Sequence, residues 1–415
     1  VFLSRVDVLH VCSAPSPRQF TLLRDAVKPL ADDVEYGMPE SSFQFHNLLR
    51  RGLSQNDGVR VRSLVGRPIS PAIHRGRFWR TATERISPTL TIHQVSVLNL
   101  PVVKQLWVGL GVFADALRWR AATSKRDTRV LIVDAAYVSV LPWALLALVG
   151  SGTRKLGLFA DVYSYMGAVA DARDTSSAKQ RAVRRVIKAI YGAFDGFILL
   201  TKQMNAVVNP KRKPHVIMEG LVDQAAMDDA EEARSDAPTI VYAGALRKEY
   251  GLDDLLEGFL AVERDDVRLV FYGGGPFEKD IVAASRVDGR VTFGGRVPVS
   301  EVMRIQRRAW LLANTRRIDD EFTKYSFPSK MLSYMASGTP VLTTKLPGMP
   351  DEYNEHVFLV DGQGASAVTE AVNRVLSLPL STLDAQGTAA RAFVAERKNN
   401  VFQAARVLEF AKDLP

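Results

Sequence analysis

The sequence predicts an α/β protein built from two doubly wound, Rossmann-like domains in series. Three observations carry this. Short apolar runs rich in Val, Ile and Leu alternate with stretches of helical periodicity along the chain. Runs that are apolar on both faces belong to parallel sheets covered by helices on either side. The pattern occurs once before and once after a charged, strand-poor stretch near 228–236 that ends at Pro238, and 415 residues are too many for one ordinary core.

In the first half the expected strands are 6–12, 59–64, 130–134, 156–159, 196–200 and 215–218. The second half offers 239–243, 267–273, 291–294, 311–314 and 340–343, with helices over 252–262 and 299–307. The expected domains are 1–225 and 239–395, joined by a linker over 226–238. A C-terminal helix over 396–415 could pack back toward the first domain. The uncharged stretch 135–153 has the length of a membrane span. Ser139, Pro142 and Gly150-Ser151-Gly152, together with the strand before it, favour a buried sheet-covering helix instead. Over 179–191, Val183, Val186, Ile187 and Ile190 share one helical face, with Arg181, Arg184, Arg185 and Lys188 opposite. The plain expectation is a surface helix packed on the sheet; the alternative is docking on an anionic bilayer. Trp107 and Trp119, in the helical stretch 102–121, read as core residues or membrane-facing anchors.

Composition narrows the function. One cysteine, Cys12, excludes a disulfide framework. With only six scattered histidines, none at metal spacing, a zinc module is not expected. The expected compartment is the reducing cytosol, and no leader pattern opens the chain. Net charge is +9, but residues 1–225 hold 31 Lys/Arg against 17 Asp/Glu, about +14, leaving about −5 for the rest. A basic half suits an anionic membrane or phosphorylated substrates. No nucleic-acid motif is present, so nucleic acid is not an expected partner.

Three segments could carry chemistry. Gly273-Gly274-Gly275-Pro276 ends one strand and opens a helix, where backbone N–H groups can approach a phosphate. Gly244-Ala245-Leu246-Arg247-Lys248 follows another strand, and its paired cations suit a diphosphate. The stretch from Glu321 through Tyr325-Ser326-Phe327-Pro328-Ser329-Lys330 to Val341 reads as loop, helix, Gly338 cap and strand. Its helix start favours an anion.

This last block, with Leu346-Pro347-Gly348-Met349-Pro350-Asp351-Glu352-Tyr353, resembles bacterial glycosyltransferase family 4 of GT-B fold, closest to members that build exopolysaccharide or capsule. The resemblance extends over nearly the whole chain, including the opening strand with Cys12-Ser13 and the Phe45-His46-Asn47 helix. It implies a nucleotide-sugar donor, a UDP-sugar by preference, held by the C-terminal domain. A lipid-linked or polysaccharide acceptor would be held by the N-terminal domain. Transfer would occur in the cleft between them, with retention, at the cytoplasmic face of the membrane, and with no cofactor or metal. The absence of any Asp-x-Asp agrees with the last point. Carried over by residue, Arg247 or Lys248 would neutralise the diphosphate and Asp161 would face the donor sugar. Ser13, Gly244, Gly273, Gly274, Tyr325, Ser326, Phe327, Pro328, Ser329, Lys330 and Ser333 would line the donor site.

The sequence also departs from the family. Where a Glu-x₇-Glu pair is common, Tyr325 and Ser333 stand. A hydroxyl bond is worth about 1 kcal/mol, against about 1.5–3 for one to a charged acceptor. Glu321 and Glu352 are the carboxylates near enough in sequence to compensate. In the usual Gly-Arg…Lys-Gly pattern, Ala245 and Tyr250 replace both cations. Two alternatives therefore stay open: a weakened GT-B protein that serves as binding partner of another transferase, and a GT-B sugar-nucleotide epimerase.

Overall fold

The computed structural model describes residues 5–25, 40–67, 69, 74, 76–101, 103–160, 185–187, 189–227 and 232–414. The chain forms two compact units. One comprises 1–221 with 400–415, and the other 222–399.

In the first unit, β1 (Val6–Cys12) is buried along its whole length and pairs in parallel with β2 (Val59–Val65) and β7 (Thr128–Asp134). Full burial is why the strand reads as a continuous apolar run. β8 (Arg154–Phe159), β9 (Gly196–Leu199) and β10 (His215–Ile217) extend the sheet on one side, and β5 (Leu90–Gln94) extends it on the other. An antiparallel edge strand, β4 (Ala82–Arg85), completes the order β10-β9-β8-β7-β1-β2-β5-β4. A small separate ribbon pairs β3 (Phe78–Trp79) with β6 (Val97–Leu98). Helices α1 (Pro17–Asp25), α2 (Glu40–Gln55), α3 (Val103–Ala122), α4 (Leu141–Ala147) and α5 (Met204–Val208) lie along the connections.

The second unit is a six-stranded parallel sheet. Its strands are β11 (Thr239–Ala243), β12 (Arg268–Tyr272), β13 (Val291–Gly295), β14 (Leu311–Asn314), β15 (Val341–Thr344) and β16 (Phe358–Val360), in the order β13-β12-β11-β14-β15-β16. Strand order reverses between β11 and β14, which marks where this architecture takes its ligands. The helices are α6 (Leu252–Leu260), α7 (Glu278–Val287), α8 (Val299–Arg308), α9 (Ser329–Ser337), α10 (Gly364–Leu376) and α11 (Leu380–Arg397). They cover the two faces with two apolar clusters, one around Phe259 and Phe271, the other around Tyr334 and Tyr353.

Helix α12 (Asn400–Lys412) returns to the first unit, where Ala404, Val407, Leu408 and Ala411 join its core. The approach to α2 is close enough that a Cβ on Gly52 would overlap the carbonyl of Asn400. Of the charged stretch near the expected linker, 228–231 lie outside the described residues.

Within 135–153 only α4 is helical, and it is far too short to span a bilayer. No described helix is long and apolar enough to cross a membrane. The expected burial holds for Leu141, Ala144, Leu145 and Ala147, but Leu146 and Val149 are exposed. The basic helix of 179–191 falls mostly outside the described residues, as do Arg181, Arg184 and Lys188; Arg185 and Val186 are described and exposed.

The α2–α12 contact leaves no room for a side chain. Gly52→Ala is expected to lower stability by about 2 kcal/mol or more. Gly289→Ala, with open space at its Cβ, should change it by less than about 1 kcal/mol. Chemical denaturation of both variants checks this.

Candidate functional site

The carboxyl ends of β11 and β14 bring together Gly244, Arg316, Lys330 and a set of tyrosines. Helix α9 is placed by Tyr334, whose hydroxyl accepts from Ala243 N at 2.8 Å and donates to Ala243 O at 3.1 Å. Lys330 is one helical turn earlier on the same face. Its ammonium therefore lies against the end of β11, donating to the Tyr242 hydroxyl and standing 3.7 Å from that ring's centre. Arg316 follows the end of β14. Its guanidinium stacks over Tyr250 at 4.4 Å and donates to Ser326 Oγ at 3.3 Å, while its buried Nε has no partner among the described residues.

Among the described residues neither cation has a carboxylate partner. Burial pushes the Lys330 ammonium well below its ordinary value, and Arg316 pushes it further. Burial likewise lowers Arg316. Burial raises the Tyr242 and Tyr334 phenols, so both stay neutral. Helix α9 begins at Ser329 after Pro328 with no side-chain cap. Its first-turn N–H groups add a positive end to the same place. Two cations without a carboxylate partner among the described residues, beside an uncapped helix start, have the chemistry that suits an anion of more than one charge.

Glycines fit this arrangement for identifiable reasons. Gly244 has φ 153°, and a Cβ there would stand 2.7 Å from Lys330 Nζ. Gly251 (φ 69°) lies against the Thr315 carbonyl, leaving no room for a Cβ. At Gly273 and Gly274 the missing Cβ is explained by protein: the Gly244 carbonyl faces the first and the Arg296 guanidinium the second.

Arg247 and Lys248 are exposed, Lys248 starting a 3-10 turn over Lys248–Tyr250. Ser333 donates to Gln306 Oε1 at 2.9 Å, toward α8. Glu352 accepts from Lys398 Nζ at 2.6 Å, so its carboxylate is engaged. Glu321 is exposed. Tyr325 is half-buried at the end of its own 3-10 turn. Phe327 is buried against Tyr353. Asp161 lies outside the described residues, and Ser13 is in the first unit. Arg316 was missed. Its signal was available, since it follows the strand that flanks the first one where the order reverses.

The first unit holds a different polar cluster at its own reversal, between β1 and β7. Asp134 Oδ2 meets His46 Nε2 at 3.1 Å, His46 Nδ1 meets His10 Nε2 at 3.2 Å, and His10 Nδ1 meets Ser63 Oγ at 3.2 Å. Cys12 is buried beside His10, and burial pushes its thiol up to about 11. Among the described residues, His10, Cys12 and His46 bring their ligand atoms within 4.8 Å of one another, a grouping that no metal spacing in the sequence announces. Arg50 is buried and holds the turn after β1 through Ala14 O at 2.8 Å and Pro15 O at 2.5 Å.

Residues 237–378 match the family model of glycosyl transferases group 1. No curated protein sequence matches the chain. Solved structures of similar fold include sucrose-phosphate synthase from Thermosynechococcus elongatus, 16% identical, covering 98% of both chains at TM-score 0.64. HepE from Anabaena, in complex with UDP, is 12% identical and covers 99% of this chain and 100% of its own at TM-score 0.60. A trehalose-phosphate synthase from Burkholderia xenovorans, in complex with glucose-6-phosphate, is 12% identical and covers 98% and 100% at TM-score 0.62. The fold is GT-B, and the chain is a glycosyltransferase.

Burial also pushes His10 well below 6.5. Below about pH 6.5 the unfolded chain takes up a proton there that the folded chain refuses, so folding stability falls with pH by up to about 1.4 kcal/mol per unit. Urea unfolding at pH 7.5 and 5.5 should show this, with a shallower pH slope in His10→Gln.

Proposed function

We propose that the chain is a retaining, metal-independent glycosyltransferase of family 4, of the kind that builds exopolysaccharide or capsule. The second unit takes a nucleotide-sugar, a UDP-sugar by preference, and the first takes a lipid-linked or polysaccharide acceptor. The enzyme works at the cytoplasmic face of the membrane as a peripheral protein, with Arg181, Arg184, Arg185 and Lys188 on an anionic surface.

One observation carries the donor reading: Arg316 and Lys330 are fixed at the strand-order reversal with no carboxylate partner among the described residues. When the bond between sugar and diphosphate breaks, negative charge grows on the leaving diphosphate. Preorganised cations and a helix N-terminus stabilise that charge without a metal. The diphosphate role expected for Arg247 or Lys248 passes to this pair. Gly244, Ser326 and Ser329 complete the wall of the site. For Asp161 and Ser13 the roles implied by the family resemblance are proposed unchanged. The UDP preference draws on HepE, a protein of the same fold described in complex with UDP.

A second reading has its own observation. Ser333 spends its hydroxyl on Gln306, which favours a protein of weakened donor binding that partners another transferase.

Calorimetry separates them. UDP is expected to bind at micromolar to sub-millimolar concentration, ahead of ADP and GDP. Arg316→Ala and Lys330→Ala should each weaken UDP by about tenfold or more, the worth of one charge-assisted bond. Arg247→Ala should change it by less than about threefold, as for an exposed charge. Equal binding by all three variants overturns the site. No binding by the wild type, restored in Ser333→Glu, supports the second reading. Because burial lowers Lys330, UDP binding is also expected to draw in a proton. Repeating the titration in buffers of different ionisation enthalpy measures it.

A further inference from the structure

Helix α3 is apolar on two opposite faces. One face is inside: Val108, Val112, Ala116 and Trp119 are buried, and Gly109 lets the Trp143 ring of α4 press against the backbone. The other face is outside. Val103, Leu106, Trp107, Leu110 and Leu117 are exposed at helical spacing, Leu106 at 54% and Leu110 at 48%. Phe78 of β3 extends the stripe, its ring edge-on to Trp107 at 6.4 Å and itself exposed. A run of large apolar side chains of this extent marks a contact surface.

Charge says what covers it. Next to Phe78 stand the exposed Arg77 and Arg80, and near the far end of the helix stand Arg118, Lys125 and Arg126. Within 76–82 and 103–127 the acids are Asp115, which is buried and engaged by His93 at 3.0 Å and Arg118 at 2.6 Å, and Asp127, which faces Arg60 at 3.7 Å. A second copy of this chain meeting the stripe face to face would oppose cation to cation. An anionic bilayer meets both requirements, since it takes the apolar stripe below its headgroups and the arginines among them. Trp107 is suited to that boundary, with an apolar ring and an indole N–H that donates to Ser96 Oγ at 3.1 Å. With no described helix able to span a bilayer, α3 would lie in the interface plane.

We infer that the outer face of α3, with Phe78, is the surface by which this protein docks on anionic lipid. The inference deepens the peripheral-membrane reading above and rests on it, moving the contact from the basic segment 179–191 to α3.

The test is flotation of the full chain with vesicles of phosphatidylcholine alone or mixed with phosphatidylglycerol. Binding to the anionic vesicles is expected. It should fall at least about tenfold in Leu106→Ser/Trp107→Ser/Leu110→Ser, with an unchanged melting temperature, and stay unchanged in Val287→Ser, an exposed apolar control in the other unit. Undiminished binding by the triple variant overturns the inference. If binding is then lost in Arg181→Ala/Arg184→Ala/Arg185→Ala/Lys188→Ala, the membrane reading survives without it. No binding by the wild type sinks both. A dimer seen by light scattering that the triple variant turns into a monomer assigns the stripe to a second copy. UDP affinity is read separately and bears on neither outcome.

Discussion

The unpaired charge of Arg316 and Lys330 is the constraint from which the second unit's site follows. Two cations drawn out of bulk water repel each other and lose hydration. In most interiors a carboxylate would settle the cost. Here aromatic faces do part of that work, Tyr250 beneath Arg316 and Tyr242 beneath Lys330. Such contacts are worth about 0.5–2 kcal/mol each, too little to replace a counter-ion, so the pair stays poised for an anion. The surrounding residues make sense as its support. Tyr334 fixes α9 to β11, Gly244 clears space for the ammonium, and Gly251 brings the Tyr250 turn against Thr315.

The same geometry explains a departure in the sequence. Ala245 and Tyr250 stand where the family pattern has its two cations, which looks like a loss when the loop is read alone. The charges are instead supplied from the end of β14 and the first turn of α9. Tyr250 becomes the seat of one of them, with its ring under Arg316 and its 5.6 Å approach to Lys330. The loop has exchanged carrying charge for holding it in place. The nearest cations in sequence, Arg247 and Lys248, are exposed on the loop that turns into a 3-10 segment before α6.

Much of the fold was legible because parallel strands buried on both faces leave an unmistakable trace. β1, β11 and β14 have the bounds the apolar runs predict. The strands that escaped are of another kind. β4 and β5 form a hairpin at a sheet edge, with half-exposed alternating residues, and β16 has three residues. Short edge strands carry little apolar signal. In the site, Lys330 was legible from its block, whereas Arg316 needed the strand order. Ser333 was legible as a departure, but its turn toward Gln306 depends on helix packing that no spacing reveals. The histidine cluster escaped because its members are far apart in the chain, and only the pairing of β1 with β2 and β7 assembles them.

Comparing the two reversal points shows why one is read as a binding site and the other as structure. In the first unit both ring nitrogens of His10 and of His46 have partners, and the chain ends on Asp134, whose Oδ1 accepts from Ala136 N at 3.0 Å. Such a network is satisfied as it stands, and a satisfied network holds a single arrangement of β1, β2, β7 and α2. In the second unit a guanidinium Nε has no partner among the described residues, and a neighbouring ammonium is pushed toward losing its proton. Both points sit at the carboxyl edge of a parallel sheet. They differ in whether the protein completes its own chemistry or leaves a place for another molecule to complete it.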